Sequence, residues 1–174
     1  IEEGSRAVIV KGGDFSIIFD RMTGAIASFS YQGRELLASG PKPNFWRAPT
    51  DNDLGNQMPR RLGAWRVASL HRELKSLQAA GRGPDEAVVR AEFRLAGTRA
   101  GQVLKYTITG EPRVLLEAEF TPPEKGAPAE LPRIGLKLAM PASFDDISWY
   151  GRGPWENYRD RTTAAFFGLY GLKV

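Results

Sequence analysis

Cysteine is absent from this chain of 174 residues, and histidine occurs once, at His71. Without cysteine there is neither a disulfide framework nor a thiolate metal site, and the redox compartment is not legible. A lone imidazole excludes mechanisms that need a histidine pair, most zinc sites among them. In the strand-like context Leu70-His71-Arg72-Glu73 it reads as a surface residue. No apolar run approaches the ~18 residues that would suggest a membrane span, so no membrane is expected as a partner. Lys and Arg number 24 against 20 Asp and Glu, a net charge of +4. That balance makes nucleic acid a class to weigh, yet the longest basic run is Arg60-Arg61 and no basic cluster interleaves with aromatics. Nucleic acid is therefore not expected either. The opening Ile1-Glu2-Glu3-Gly4 has no basic n-region and no apolar h-region, so it is no signal peptide. Both ends read as the borders of a piece of something larger.

What is present is an ordinary globular composition, 42% hydrophobic and 25% charged, with 19 Gly and 12 Pro to supply turns. About one domain fits the length, and residues 1–174 are read as a single β-sandwich. Short alternating runs recur between turn signals, the pattern of an all-β antiparallel sandwich. The runs are 7–11, 15–19, 25–31 and 35–37, with turns at Asp20-Arg21-Met22-Thr23-Gly24 and Gln32-Gly33. They predict a meander. Residues 39–62 are rich in loop formers and predict one long ordered loop, with a helical turn or two in 60–67; Gly55 and Pro59 interrupt any longer helix. Strands resume weakly over 69–78 and clearly over 87–95, where Val89, Ala91, Phe93 and Leu95 share a face. Residues 102–109 and 113–121 predict a hairpin across Gly110-Glu111-Pro112. A stiff loop over 122–128 and strands at 134–139, 147–150 and 164–170 complete the expectation.

Two stretches could carry chemistry. One is Asn44-Phe45-Trp46-Arg47-Ala48-Pro49-Thr50-Asp51-Asn52-Asp53-Leu54-Gly55. The other is Trp149-Tyr150-Gly151-Arg152-Gly153-Pro154-Trp155-Glu156-Asn157-Tyr158-Arg159-Asp160-Arg161. Both set aromatic rings beside guanidinium, carboxyl and amide groups. A sugar site needs that inventory, a ring face plus directional hydrogen bonds. A buried Arg–carboxylate network that pins loops needs it too, and the residues favour this structural role.

The runs from Phe45 to Gly55 and from Tyr150 to Arg161 resemble, in order and separation, the two signatures of the C-terminal domain of large bacterial β-galactosidases of glycoside hydrolase family 2. The turn Phe19-Asp20-Arg21-Met22-Thr23-Gly24 fits as well, and the similarity runs through nearly the whole chain. It covers about the first three-fifths of that family's terminal domain. The resemblance implies a galactose-mutarotase-like supersandwich, incomplete at its C-terminus, in an enzyme that hydrolyses terminal β-D-galactosides with retention. The two catalytic glutamates would sit on a separate (β/α)8 barrel, so no catalytic residue and no metal site is expected here. It implies no cofactor in this segment, and magnesium and sodium on that barrel. Gly55, Asn56, Gln57 and Met58 correspond to a loop near the active site that moves on ligand binding. Trp46, Arg47, Asp51, Asn52, Asp53, Trp155, Glu156, Asn157, Tyr158 and Arg161 form the expected bracing network. A family aromatic that stacks on galactose is expected beyond Val174.

Independent glycosidase chemistry fits poorly. A retaining glycosidase needs two carboxyls about 5–5.5 Å apart, one with a raised pKa. Asp51 with Asp53, and Glu156 with Asp160, have suitable spacing, but Arg47, Arg152, Arg159 and Arg161 lie beside them and nearby cations lower carboxyl pKa values. Expected partners are the remaining domains of the larger enzyme and, through it, a galactoside, with room for a homo-oligomer. A free-standing carbohydrate-binding module, dependent on Trp46 or Trp155, is the alternative; a sandwich serving only oligomer contacts is a third reading. The compartment, bacterial cytoplasm or periplasm, is not legible.

Overall fold

The first forty residues fold as a five-stranded antiparallel meander: β1 (Glu2–Glu3), β2 (Ala7–Lys11), β3 (Phe15–Asp20), β4 (Ile26–Tyr31) and β5 (Arg34–Glu35). The computed structural model describes residues 1–123, 130–155, 157, 159 and 161–174. Period-two alternation does its expected work: Val8 and Val10 on β2, and Phe15, Ile17 and Phe19 on β3, are buried, and the residues between them are not. Gln32 and Gly33 both take positive φ, 48° and 76°, as a two-residue hairpin turn requires. β5 is shorter than the predicted 35–37. The Glu35 carboxylate accepts the Phe29 and Leu37 N–H groups and the Ser28 hydroxyl, replacing a continued ladder.

Residues 39–62 depart from the single loop that the sequence predicts. They hold β6 (Ser39–Pro43), α1 (Asp51–Gly55) and α2 (Met58–Arg61), followed by α3 (Gly63–Leu70). Among the described residues β6 pairs along one edge, with β11 (Leu136–Ala139), where prolines that cannot donate are tolerated. Gly55 does end α1, and Pro59 lies in the first turn of α2, where its missing N–H costs nothing.

The second large sheet has the order β10-β9-β8-β7, from β7 (Arg72–Gly81), β8 (Glu86–Leu95), β9 (Gly101–Thr109) and β10 (Val114–Thr121), all antiparallel. The weak alternation over 69–78 has two causes. Ser69 and Leu70 belong to α3, and a bulge between Leu74 and Ser76 shifts the phase of β7 so that Leu74 and Leu77 both reach the core. The inner faces of the two sheets close on one core: Val8, Val10, Phe15, Ile17, Phe19 and Ile26 from one, Ala87, Val89, Ala91, Phe93, Leu104, Tyr106 and Ile108 from the other. Each large side chain sealed there contributes about 1.5–3 kcal/mol. The outer face of the second sheet carries exposed ion pairs such as Lys105–Glu117 at 2.6 Å, which add little stability. The chain is thus an all-β antiparallel sandwich.

Ile1–Ala139 form one compact unit and Met140–Val174 another. The second is built on β12 (Asp146–Gly153) paired antiparallel with β13 (Phe166–Lys173). Gly151 and Gly168 face each other in that ladder. A Cβ at Gly153 would approach Tyr170 Cδ2 to 2.8 Å, so glycine there makes room for the Tyr170 ring.

Candidate functional site

The first aromatic–guanidinium stretch lies over one end of the sandwich and has its own core. Phe45, Met58, Leu62, Trp65, Ala68, Leu95 and Ala100 are buried together, with Trp46, Phe120 and Leu131 packed against them. Phe45, Trp65 and Phe120 form a ring triad with centroids 5.5–5.9 Å apart. Two hydrogen bonds seat Phe45: its N–H donates to Ser69 Oγ at 2.8 Å, and Ser69 donates onward to the Trp65 carbonyl at 2.9 Å. Asn44 N–H donates to the Gly135 carbonyl at 2.8 Å, tying the same stretch to the approach of β11.

On this base Arg47 clamps Asp53. Nη2 donates to Oδ1 at 2.9 Å and Nη1 donates to Oδ2, the two-pronged geometry that a planar guanidinium matches to a carboxylate. Nε donates to the Pro132 carbonyl at 3.1 Å, so the clamp also reaches a segment 85 residues further along. Asp53 is 8% exposed and accepts the Thr50 N–H at 2.8 Å and the Thr50 hydroxyl at 2.9 Å. Its own N–H donates back to Thr50 Oγ1 at 3.3 Å, closing a capping box that starts α1. The Arg47 hydrogen bonds, with the Thr50 N–H second, hold the Asp53 carboxyl well down, at about 2 against an ordinary 3.8. A carboxyl that stays ionised throughout the physiological range is a poor proton donor.

The structure places the other expected residues differently. Asp51 and Asn52 are exposed on α1, where Asn52 accepts the Asn56 N–H at 3.0 Å. Gly55, Asn56 and Gln57 are exposed, Gln57 with a left-handed φ of 60°, whereas Met58 is 2% exposed and anchors the stretch in the second core. Arg61 holds Asn56 through its carbonyl at 2.9 Å and its side-chain oxygen at 3.3 Å, and reaches Glu130 at 3.3 Å. The loop after α1 is therefore a turn between two pinned helices. Sequence reasoning missed Thr50 and Ser69 as organisers. Thr50-x-x-Asp53 before a helix is the signal that could have found the first.

The second stretch belongs to the other unit. Arg152 Nη1 donates to the Thr162 carbonyl at 2.7 Å and the Ala165 carbonyl at 2.8 Å, and the guanidinium lies 5.0 Å from the Phe167 ring centre. It thereby pins the return of the chain into β13. Trp149 and Tyr170 stack with centroids 5.5 Å apart. Trp155 is 73% exposed, and Asn157 and Arg161 are also at the surface. Glu156, Tyr158 and Asp160, with 124–128 of the predicted stiff loop, lie outside the described residues. Among the described residues no three His, Cys, Asp or Glu side chains group as a metal site.

The fold and the site define an all-β antiparallel sandwich with a paired Arg47 and Asp53 at the start of a short capped helix. Compared with known proteins, residues 11–174 match the family described as the β-galactosidase small chain, and the chain belongs to that family. A β-galactosidase of Priestia megaterium is 39% identical over 170 residues, which cover 98% of this chain and 16% of that protein. One from Lactobacillus delbrueckii subsp. bulgaricus is 34% identical over 92% of this chain and 16% of its own length. A β-galactosidase small subunit of Latilactobacillus sakei is 32% identical over 95% of this chain and 58% of its own. The chain spans about a sixth of the length of the first relatives it matches.

Proposed function

We propose that this sandwich is a non-catalytic domain of a β-galactosidase that hydrolyses terminal β-D-galactosides with retention. In this reading two glutamates on a separate (β/α)8 barrel do the chemistry. The sandwich braces that barrel, and the turn at Gly55, Asn56 and Gln57, anchored by Met58, helps to wall the sugar pocket. The carrying observation is the Arg47–Asp53 clamp: the acidic group best placed by its motif is paired, capped and held ionised, which suits support and not proton transfer. The family match gives the reading its substrate class. The magnesium and sodium of such an enzyme would belong to the barrel, and the natural partners are the remaining domains and further copies of the enzyme.

A chromogenic galactoside assay tests the proposal. The 174-residue chain alone should give no turnover, and the complete enzyme should lose activity when the domain is removed and regain it when the domain is supplied. Turnover by the chain alone would overturn the non-catalytic role. One observation favours a second reading, a carbohydrate-binding module: Trp155 is 73% exposed, as a sugar-stacking ring must be. Calorimetric titration with galactose and lactose separates the two. Saturable heat that Trp155→Ala abolishes supports the module, and its absence supports the brace.

A further inference from the structure

Arg72, the first residue of β7, has no carboxylate partner among the described residues. Its guanidinium lies over the Phe93 ring, 4.0 Å from the centre, and its Nη1 is sealed from solvent without a hydrogen-bond partner. No side chain or backbone acceptor takes any of its donors among the described residues, and no carboxylate pairs with it. Arg72 also lines a cleft of about 620 Å³ together with Asp20, Thr23, Ser39, Lys42 and His71. Asp20, a carboxylate in that lining, is turned to its own loop. Its Oδ1 accepts the Met22 N–H at 2.9 Å, the Thr23 N–H at 2.7 Å and the Thr23 hydroxyl at 2.9 Å. The cleft is left with two fixed cations, Lys42 and Arg72, against one occupied carboxylate.

We propose that this cleft binds a small oxyanion, a carboxylate or phosphate group, in the fork of Arg72, with Lys42 and His71 as flanking donors. The chemistry is that of a planar guanidinium meeting two oxygens at once, which a point-charge ammonium does not reproduce. Partial burial strengthens it, because a charge short of water gains more from a counter-ion than one fully hydrated. Contact with the Phe93 ring restrains the guanidinium before the ligand arrives, so less side-chain freedom is lost on binding. The site is independent of the β-galactosidase reading and its test leaves that reading untouched.

The test is a nitrogen–proton NMR titration of the whole chain with sodium phosphate and, separately, sodium acetate, each against sodium chloride at matched ionic strength. Saturable shifts of the Arg72 side chain and of the Ser39 and His71 amides are expected with phosphate or acetate and not with chloride. Saturation by phosphate alone assigns a phosphate ligand; saturation by acetate assigns a carboxylate. Arg72→Lys, which keeps the charge and loses the fork, should bind about tenfold more weakly, one charged hydrogen bond's worth. Arg72→Gln should abolish the shifts. Shifts that fail to saturate, that chloride reproduces, or that Arg72→Lys leaves unchanged would overturn the proposal. The wild-type titration decides the matter even where a variant fails to fold.

Discussion

Tyr106 meets Phe19 edge-on between the two large sheets, with ring centroids 5.1 Å apart and planes at 66°. The ring is fully buried, yet its hydroxyl has no hydrogen-bond partner among the described residues. The two parts of the side chain therefore act in opposite directions. The ring joins β3 to β9, and the hydroxyl carries a desolvation cost without the compensating bond. Tyr106→Phe is expected to leave stability unchanged or raise it by up to about 1 kcal/mol in chemical denaturation. Phe19→Ala should lose about 3–5 kcal/mol, because it empties the same contact. A clear loss from Tyr106→Phe would instead reveal a buried water on the hydroxyl.

The same burial governs alkaline stability. Removing the phenolate from water raises the Tyr106 pKa from 10.0 to about 12, with Arg72 pulling the other way. A group whose pKa is raised by folding stabilises fully below its unfolded value, so the contribution is complete below 10.0 and disappears as pH rises toward about 12. Ultraviolet titration should show Tyr106 as a late-ionising tyrosine, coincident with alkaline unfolding. Tyr106→Phe should remove that step.

Acid acts on the Arg47–Asp53 clamp with the reverse sign. The Asp53 pKa is depressed from 3.8 to about 2, so its stabilisation is present above 3.8 and is lost as pH falls toward about 2. Asp53→Asn should be less stable than the wild type at neutral pH, and the two melting temperatures should converge as pH drops through that window. Parallel curves would show that Arg47 does not depend on the charge. Thr50→Ala removes the capping hydroxyl alone. It is expected to cost about 1 kcal/mol, or about 2–4 °C in melting temperature for a chain of this size.

The sandwich was legible because its strands obey a strict two-residue period. On β8 the buried Val89, Ala91, Phe93 and Leu95 alternate with Arg90, Glu92 and Arg94, a pattern that only one face toward the core explains. β6 was hidden because Pro41 and Pro43 read as loop formers, and only its edge position makes them acceptable. The Arg47–Asp53 pairing was within reach as a bracing network, since the residue types and spacing suit it. Its capping box was not separated from a simple loop turn. Arg72 was out of reach. A charged residue at a strand start normally signals the solvent side, and only the bulge in β7 together with the Phe93 ring beneath it turns this one inward.

Two glycines with nearly the same backbone should respond differently to one added methyl. Gly24 has φ of 62° and Gly33 has φ of 76°, both in the left-handed region where a Cβ costs about 1–2 kcal/mol. At Gly33 nothing lies within 4 Å of the position a Cβ would take, so Gly33→Ala should cost that amount and no more. At Gly24 the Cβ would fall 2.4 Å from Leu74 Cδ1 and 3.0 Å from Phe93 Cζ, inside the core that both sheets share. Gly24→Ala therefore adds overpacking, about 1–3 kcal/mol, to the same backbone strain. Equilibrium denaturation of the two variants side by side gives the difference directly. Equal losses would mean that the Leu74 side chain or the Asp20–Gly24 turn moves aside at little cost. A larger loss at Gly24 would show that the turn is held down against Leu74 and Phe93, beneath the cation of Arg72.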